Sequence, residues 1–131
     1  MKKEVLKDFI YVPNSSDCYK INAEKRTVVY VKYSHKRRFI GVAKCLESDD
    51  FNYAGGLLIA KCRAEIKQRK YDLSLTREFI KHNNDYIDAH KRFGFDFSPH
   101  FMRSIQTAIE EEKTQLKHIK ALEIKLKHLV L

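Results

Sequence analysis

Two short runs of cations carry the most chemistry in this chain. Residues 25–44 hold Lys25, Arg26, Lys32, Lys36, Arg37, Arg38 and Lys44 with no acid, and residues 61–70 hold Lys61, Arg63, Lys67, Arg69 and Lys70 against Glu65 alone. The runs carry +7 and +4, the other 101 residues sum to −2, and the chain totals +9. Charge concentrated in this way is the footprint of a phosphate-bearing or acidic partner. Lys36, Arg37, Arg38, Arg63, Lys67 and Lys70 are the expected contacts. Tyr30 and Tyr33 stand among the cations and would offer faces for base stacking, whereas Phe39 reads as sheet core. A merely solvated face fits poorly with twenty residues that lack any acid.

The other reactive side chains are less telling. His35, His82, His90, His100, His118 and His128 are scattered, and none pairs with a Cys at zinc-ligand spacing, so no metal is expected. His82, Asp85, Asp88 and His90 fall within nine residues and invite an acid–base reading. On a helix, however, His82 and Asp85 make a surface ion pair while His90 turns toward the apolar stripe. Asn83 and Asn84 have the chemistry to bond a base edge, but helix-surface Asn is the simpler account. Cys62 lies on an apolar stripe and reads as core rather than nucleophile. There is no P-loop and no GxGxxG fingerprint. The expectation is a protein without catalytic residues or cofactor.

Length bounds the architecture. At 131 residues, 44% hydrophobic and with fifteen aromatics, the chain can bury one core. Four Gly and two Pro favour helices over a many-stranded β fold. No signal-peptide run follows Met1, no stretch reaches the roughly 20 apolar residues of a membrane span, and three cysteines without CxxC spacing read as reduced thiols. Together these point to the cytoplasm.

The elements that must position the cations follow from periodicity. Residues 9–12 read as a short edge strand stopped by Pro13, and 18–21 as a second. Thr27–Tyr33 and Arg38–Cys45 are β-rich runs joined by Ser34-His35-Lys36-Arg37, a hairpin with a basic tip. Alternation sets Val29, Val31 and Tyr33 on one face and Val28, Tyr30 and Lys32 on the other. Gly41 implies a bulge or a close backbone approach.

Ser48-Asp49-Asp50 offers an N-cap for a helix over 51–71. Its apolar stripe is Phe51, Ala54, Leu58, Cys62 and Ile66; Gly55-Gly56 would let it sit close on the sheet, and Arg63, Lys67 and Lys70 form a basic stripe. A second helix is expected over 75–93, capped by Ser74 and stopped by Gly94. Its buried face would be Phe79, Ile80, Asn83, Tyr86, Ile87 and His90. Ser98-Pro99 begins a third helix running to 131. At about 32 residues it spans roughly 48 Å. The near-heptad Ile105, Ile109, Leu116, Ile119 and Leu126 predict a coiled-coil-like homodimer seam. The fold class is α+β: an N-terminal antiparallel sheet with a basic hairpin, a packed helix, a second helix and a long C-terminal helix. Residues 1–98 form the core and 99–131 the dimerisation helix of the same unit.

The segment 39–69 (FIGVAKCLESDDFNYAGGLLIAKCRAEIKQR) resembles a recurrent unit in small proteins from phages and prophages of Gram-positive bacteria. The shared pattern is a Gly-x-Ala-x-Cys strand end, an Asp-x-Phe-Asn cap and a helix with an early Gly and a basic tail. Here it is carried by Gly41, Ala43, Cys45, Asp50, Phe51, Asn52, Gly55 and Arg63. Glu47 or Ser48 stands where a Pro is frequent. The resemblance implies the ββα arrangement, a phage origin and the cytoplasm of an infected or lysogenic cell, and it transfers no functional residue.

Three roles fit these features. The first is a host-modulating or anti-defence binding protein that engages nucleic acid or a nucleoprotein complex, in the manner of an anti-CRISPR protein. The second is a sponge that holds a cyclic-nucleotide immune signal at a dimer interface. The third is a protein–protein inhibitor whose basic patch meets an acidic host protein.

Overall fold

A computed structural model describes residues 8–45, 52–94 and 96–130. Strands β1 (Ile10–Tyr11), β2 (Cys18–Asn22), β3 (Thr27–Ser34) and β4 (Arg37–Lys44) precede helices α1 (Tyr53–Lys91) and α2 (Pro99–Val130). The strands form one antiparallel meander in the order β1-β2-β3-β4, so the α+β class and both short strands stand as expected. Contacts divide the chain into two compact units: 1–68 with 122–131, and 69–121.

The hairpin is tighter than its sequence implies. Tyr33 pairs with Arg38 and Ser34 with Arg37, leaving a two-residue turn rather than the expected four-residue connection. His35 and Lys36 fill it with φ of 54° and 59°. Two positive φ values match the twist of the flanking strands, but for residues with a Cβ they cost roughly 1 kcal/mol each. Lys36→Gly should therefore stabilise the chain by about 1 kcal/mol, seen as a higher urea midpoint. An unchanged or lower midpoint would mean the turn is held in some other way.

In the first unit, α1 packs on the face carrying Val28, Tyr30 and Ala43, through Ala60 and Ala64. A Cβ on Gly41 would stand 1.9 Å from the Ala60 carbonyl oxygen and 2.6 Å from the Ala64 nitrogen. Of the two expectations for Gly41, close backbone approach is the one realised. Gly56 is less tightly placed, its Cβ position 2.9 Å from a Val28 methyl, while Gly55 abuts Asn52. The stripe on the sheet is thus Gly56, Ala60 and Ala64, not the expected Ala54, Leu58, Cys62 and Ile66. Leu58 is exposed, and Cys62 is buried on the other side, its thiol donating to the Leu122 carbonyl at 3.4 Å. Burial pushes that thiol's pKa up. No disulfide joins the three cysteines.

Helix α1 begins with Asn52, whose Oδ1 accepts from the Gly55 amide at 3.1 Å. The expected caps at Ser48, Asp49 and Asp50, with Phe51, lie outside the described residues. The helices expected over 51–71 and 75–93 are one. Ser74 does not cap a new start: its hydroxyl donates to the Tyr71 carbonyl and that of Thr76 to the Asp72 carbonyl, bonds made within a continuing helix. At 39 residues α1 is about 58 Å long. Gly94, at φ 73°, follows its end, and Ser98 Oγ caps α2 by accepting from the Phe101 amide.

The second unit is a helical hairpin. Leu73 and Ile87 of α1 are buried there with Ile105, Ala108 and Ile119 of α2. Arg77 meets Glu112 at 3.3 Å and the Gln115 amide donates to Thr76 Oγ1 at 3.0 Å. The positions expected to form a dimer seam are therefore partly covered within the chain. Ile105 and Ile119 are buried, Ile109 and Leu126 half-buried, and of the five only Leu116 is exposed. A heptad pattern records that a helix packs on another helix, whichever chain supplies it.

Candidate functional site: a basic sheet edge

Both cation runs meet on β4, the end strand of the sheet. Arg63 Nη1 donates to the Val42 carbonyl and Lys67 Nζ to the Ile40 carbonyl, each at 2.6 Å. Further along the helix, Gln68 Nε2 donates to Ser34 Oγ at 3.2 Å, beside the basic hairpin turn. Helix α1 thus runs back along β4, and its basic stripe hangs over the outer edge of that strand. The spacing follows from helix and strand periods: i, i+4 on a helix is about 6 Å, and two residues of a strand about 6.8 Å.

A bond to a neutral carbonyl orients a cation without neutralising it. Arg63 retains four of its five donor hydrogens and Lys67 two of three. Lys36, Arg37 and Arg38 are exposed at the hairpin end, and the Arg38 guanidinium lies 5.7 Å from the Tyr33 ring centroid. Ile40 and Val42 are exposed between the cations, at 41% and 44%. These two aliphatics were not expected as part of the site, and Lys44 of the first cation run stands at the far end of β4. Nothing in β4 alone marks it as the end strand.

Other expected site residues go elsewhere. Tyr30 is buried, 3% exposed, and its hydroxyl donates to Asp17 Oδ2 at 2.8 Å. It cannot stack on a ligand. Lys32 is paired with the same carboxylate at 3.6 Å, and the Tyr33 amide donates to Asp17 Oδ1 at 3.4 Å. Arg26 is turned inward, with Nη2 on Cys45 Sγ at 3.5 Å. Lys70 belongs to the second unit, as does Arg69. Arg63 and Lys67, with the turn residues, are the cations the fold assembles.

Around Asp17 the charge logic is internal. Burial first, and then the hydrogen bond to the Asp17 carboxylate, push the Tyr30 phenol above its ordinary range. Burial also raises Tyr33, against the lowering effect of Arg38.

In the second unit, His82 and Asp85 are exposed, and His90 Nδ1 lies 2.8 Å from the Tyr86 carbonyl with its ring 4.0 Å from that of Tyr86. Tyr86 is also edge-on to Phe97 and Phe101, while Phe79 and Tyr86 are more exposed than the expected buried face implies. A groove of about 350 Å³ is lined by Leu75, Thr76, Phe79, Ser104, Thr107, Ala108 and Glu111, with no cation. Among the described residues no group of three His, Cys, Asp or Glu could hold a metal ion, and no helix is long and apolar enough to cross a membrane.

No protein-family model matches this chain, nor does any curated protein or solved structure. The site's own chemistry must carry the functional reading.

Proposed function

We propose that this chain is a non-enzymatic binding protein that engages an acidic protein through the basic edge of its sheet, in the manner of a small phage-encoded inhibitor of a host protein. The observation that carries this reading is the mounting of Arg63 and Lys67 on the Val42 and Ile40 carbonyls. Held cations lose less side-chain freedom on binding than free ones, and a concentrated positive field speeds encounter with an acidic surface.

The neighbours of the cations favour protein over the other partners. Base stacking needs open aromatic faces, yet Tyr30 is buried and Tyr33 stands beside Arg38. Between the cations lie Ile40 and Val42, aliphatic side chains suited to a protein surface. A cyclic nucleotide wants an enclosed basic site, and the groove of the second unit has no cation in its lining. Nucleic acid is the second reading, favoured by the exposed Lys36, Arg37 and Arg38 at the turn.

The test is an anisotropy titration with two labelled probes, a poly-glutamate peptide and a single-stranded oligonucleotide of equal charge. The peptide should bind, and Arg63→Glu with Lys67→Glu should weaken it about 100-fold, as loss of two charge-assisted contacts implies. Arg63→Gln with Lys67→Gln, which keeps neutral donors at the edge, should weaken it roughly tenfold. Tighter binding of the oligonucleotide, with an affinity that collapses as salt rises, would transfer the edge to nucleic acid.

A further inference from the structure

We propose that β4 accepts an extended acidic peptide as a fifth strand, with Arg63 and Lys67 guarding the edge until such a peptide arrives. This deepens the acidic-partner reading and rests on it.

The edge is built for pairing. Strand β4 has eight residues, all in register with β3, without a bulge or Pro. In an antiparallel pair, alternate residues turn both backbone groups toward the neighbouring strand or both away from it. The carbonyls reached by Arg63 and Lys67 show that Ile40 and Val42 belong to the outward set. Their amides therefore point outward too, and neither has a hydrogen-bond partner among the described residues. An unpaired row of this kind is a template for another strand.

Three features select the strand. The outward amides want acceptors repeating every second residue, which a peptide backbone supplies in register. Ile40 and Val42 present an apolar strip on the face away from α1, so alternate side chains of the added strand should be apolar. The third feature is the guard itself. Pairing requires the Ile40 and Val42 carbonyls to pass from Arg63 and Lys67 to peptide N–H groups. A basic strand would repel the displaced cations, and a neutral one would leave them only water. A carboxylate on the α1 side of the new strand gives each a charge-assisted bond, stronger than the carbonyl bond it replaces. The partner segment should thus alternate acidic and apolar residues, the period of a strand.

The probe is an eight-residue peptide alternating Glu and Val, titrated into the isotope-labelled full chain and followed by amide hydrogen exchange. On saturation the Ile40 and Val42 amides should slow at least about tenfold. Methylating the two peptide nitrogens that would donate to the Ile40 and Val42 carbonyls should weaken binding about tenfold or more. A Lys–Val peptide of the same length should not bind.

Equal affinity of the methylated peptide, or unprotected amides in the saturated complex, would overturn strand addition. If Arg63→Glu with Lys67→Glu still abolished binding, the acidic-partner reading would survive that result. A peptide indifferent to both changes, or displaced by a much tighter oligonucleotide, would remove the two readings together.

Discussion

Gly41→Ala should destabilise the chain by about 3 kcal/mol and lower its melting temperature by roughly 10 °C. The new methyl would meet the Ala60 carbonyl oxygen and the Ala64 nitrogen, both backbone atoms that no rotamer change can move aside. Helix α1 would have to lift from β4. That shift would also draw Arg63 and Lys67 off the Val42 and Ile40 carbonyls, so the edge should lose affinity for an acidic probe along with stability. Gly94→Ala is the control. Nothing lies within 4 Å of its Cβ position, and only the φ of 73° opposes the substitution, so about 1 kcal/mol is expected. Urea unfolding of both variants reads the difference. Equal losses would show that the helix–strand approach is not as tight as the geometry indicates.

The second large effect is at Asp17. Its side chain is 10% exposed, and its carboxylate is shared by the Tyr30 hydroxyl, the Lys32 ammonium and the Tyr33 amide. Asp17→Ala strands a buried phenol and an ammonium whose side chain is 24% exposed. A loss of about 3 kcal/mol follows, near the low end for breaking a buried pair because Lys32 still reaches water. Tyr30→Phe removes one donor and leaves the others, and should cost about 1 kcal/mol. The two changes should not add, since they break the same network. The pH dependence has a definite sign. The folded phenol holds its proton more tightly than the unfolded one, whose pKa is 10.0. Its contribution is whole below pH 10 and drains away as the pH rises further. Tyr30→Phe should flatten the stability profile above pH 10. A parallel profile in the variant would rule out this phenol as the alkaline trigger.

Much of the architecture was legible because it is written in short-range patterns. The strand runs around Val28–Tyr33 and Phe39–Lys44 are rich in β-branched and aromatic residues, Ser98-Pro99 marks a helix start, and Gly94 marks an end. Gly41 was legible as a point of approach, though not what approached. Three features were not. The stripe of α1 that meets the sheet is made of Gly56, Ala60 and Ala64, residues too small to register in a search for large apolar side chains. Ser74 has the composition of a cap, but its hydroxyl bonds one turn back, a choice that tertiary packing makes. His35 and Lys36 lack the Gly or Asn that normally betrays a two-residue turn. As for the site, the i, i+4 spacing of Arg63 and Lys67 revealed a stripe. Their bonds to β4 join residues more than twenty apart, and sequence spacing cannot report that. Tyr30 failed as a stacking residue for a related reason: the acid that claims it, Asp17, stands thirteen residues away, just ahead of β2.

The first compact unit is assembled from residues 1–68 and 122–131, with 69–121 lying between them in the chain. Synthesis therefore makes the two halves of that unit at different times, and the stretch joining them folds back on itself as a helical hairpin. Once formed, that hairpin shortens the effective loop that must close before Leu122 can meet Cys62. Its integrity should thus set the pace at which the sheet-bearing half matures, and a defect in the hairpin should delay folding more than its distance from the basic edge would imply.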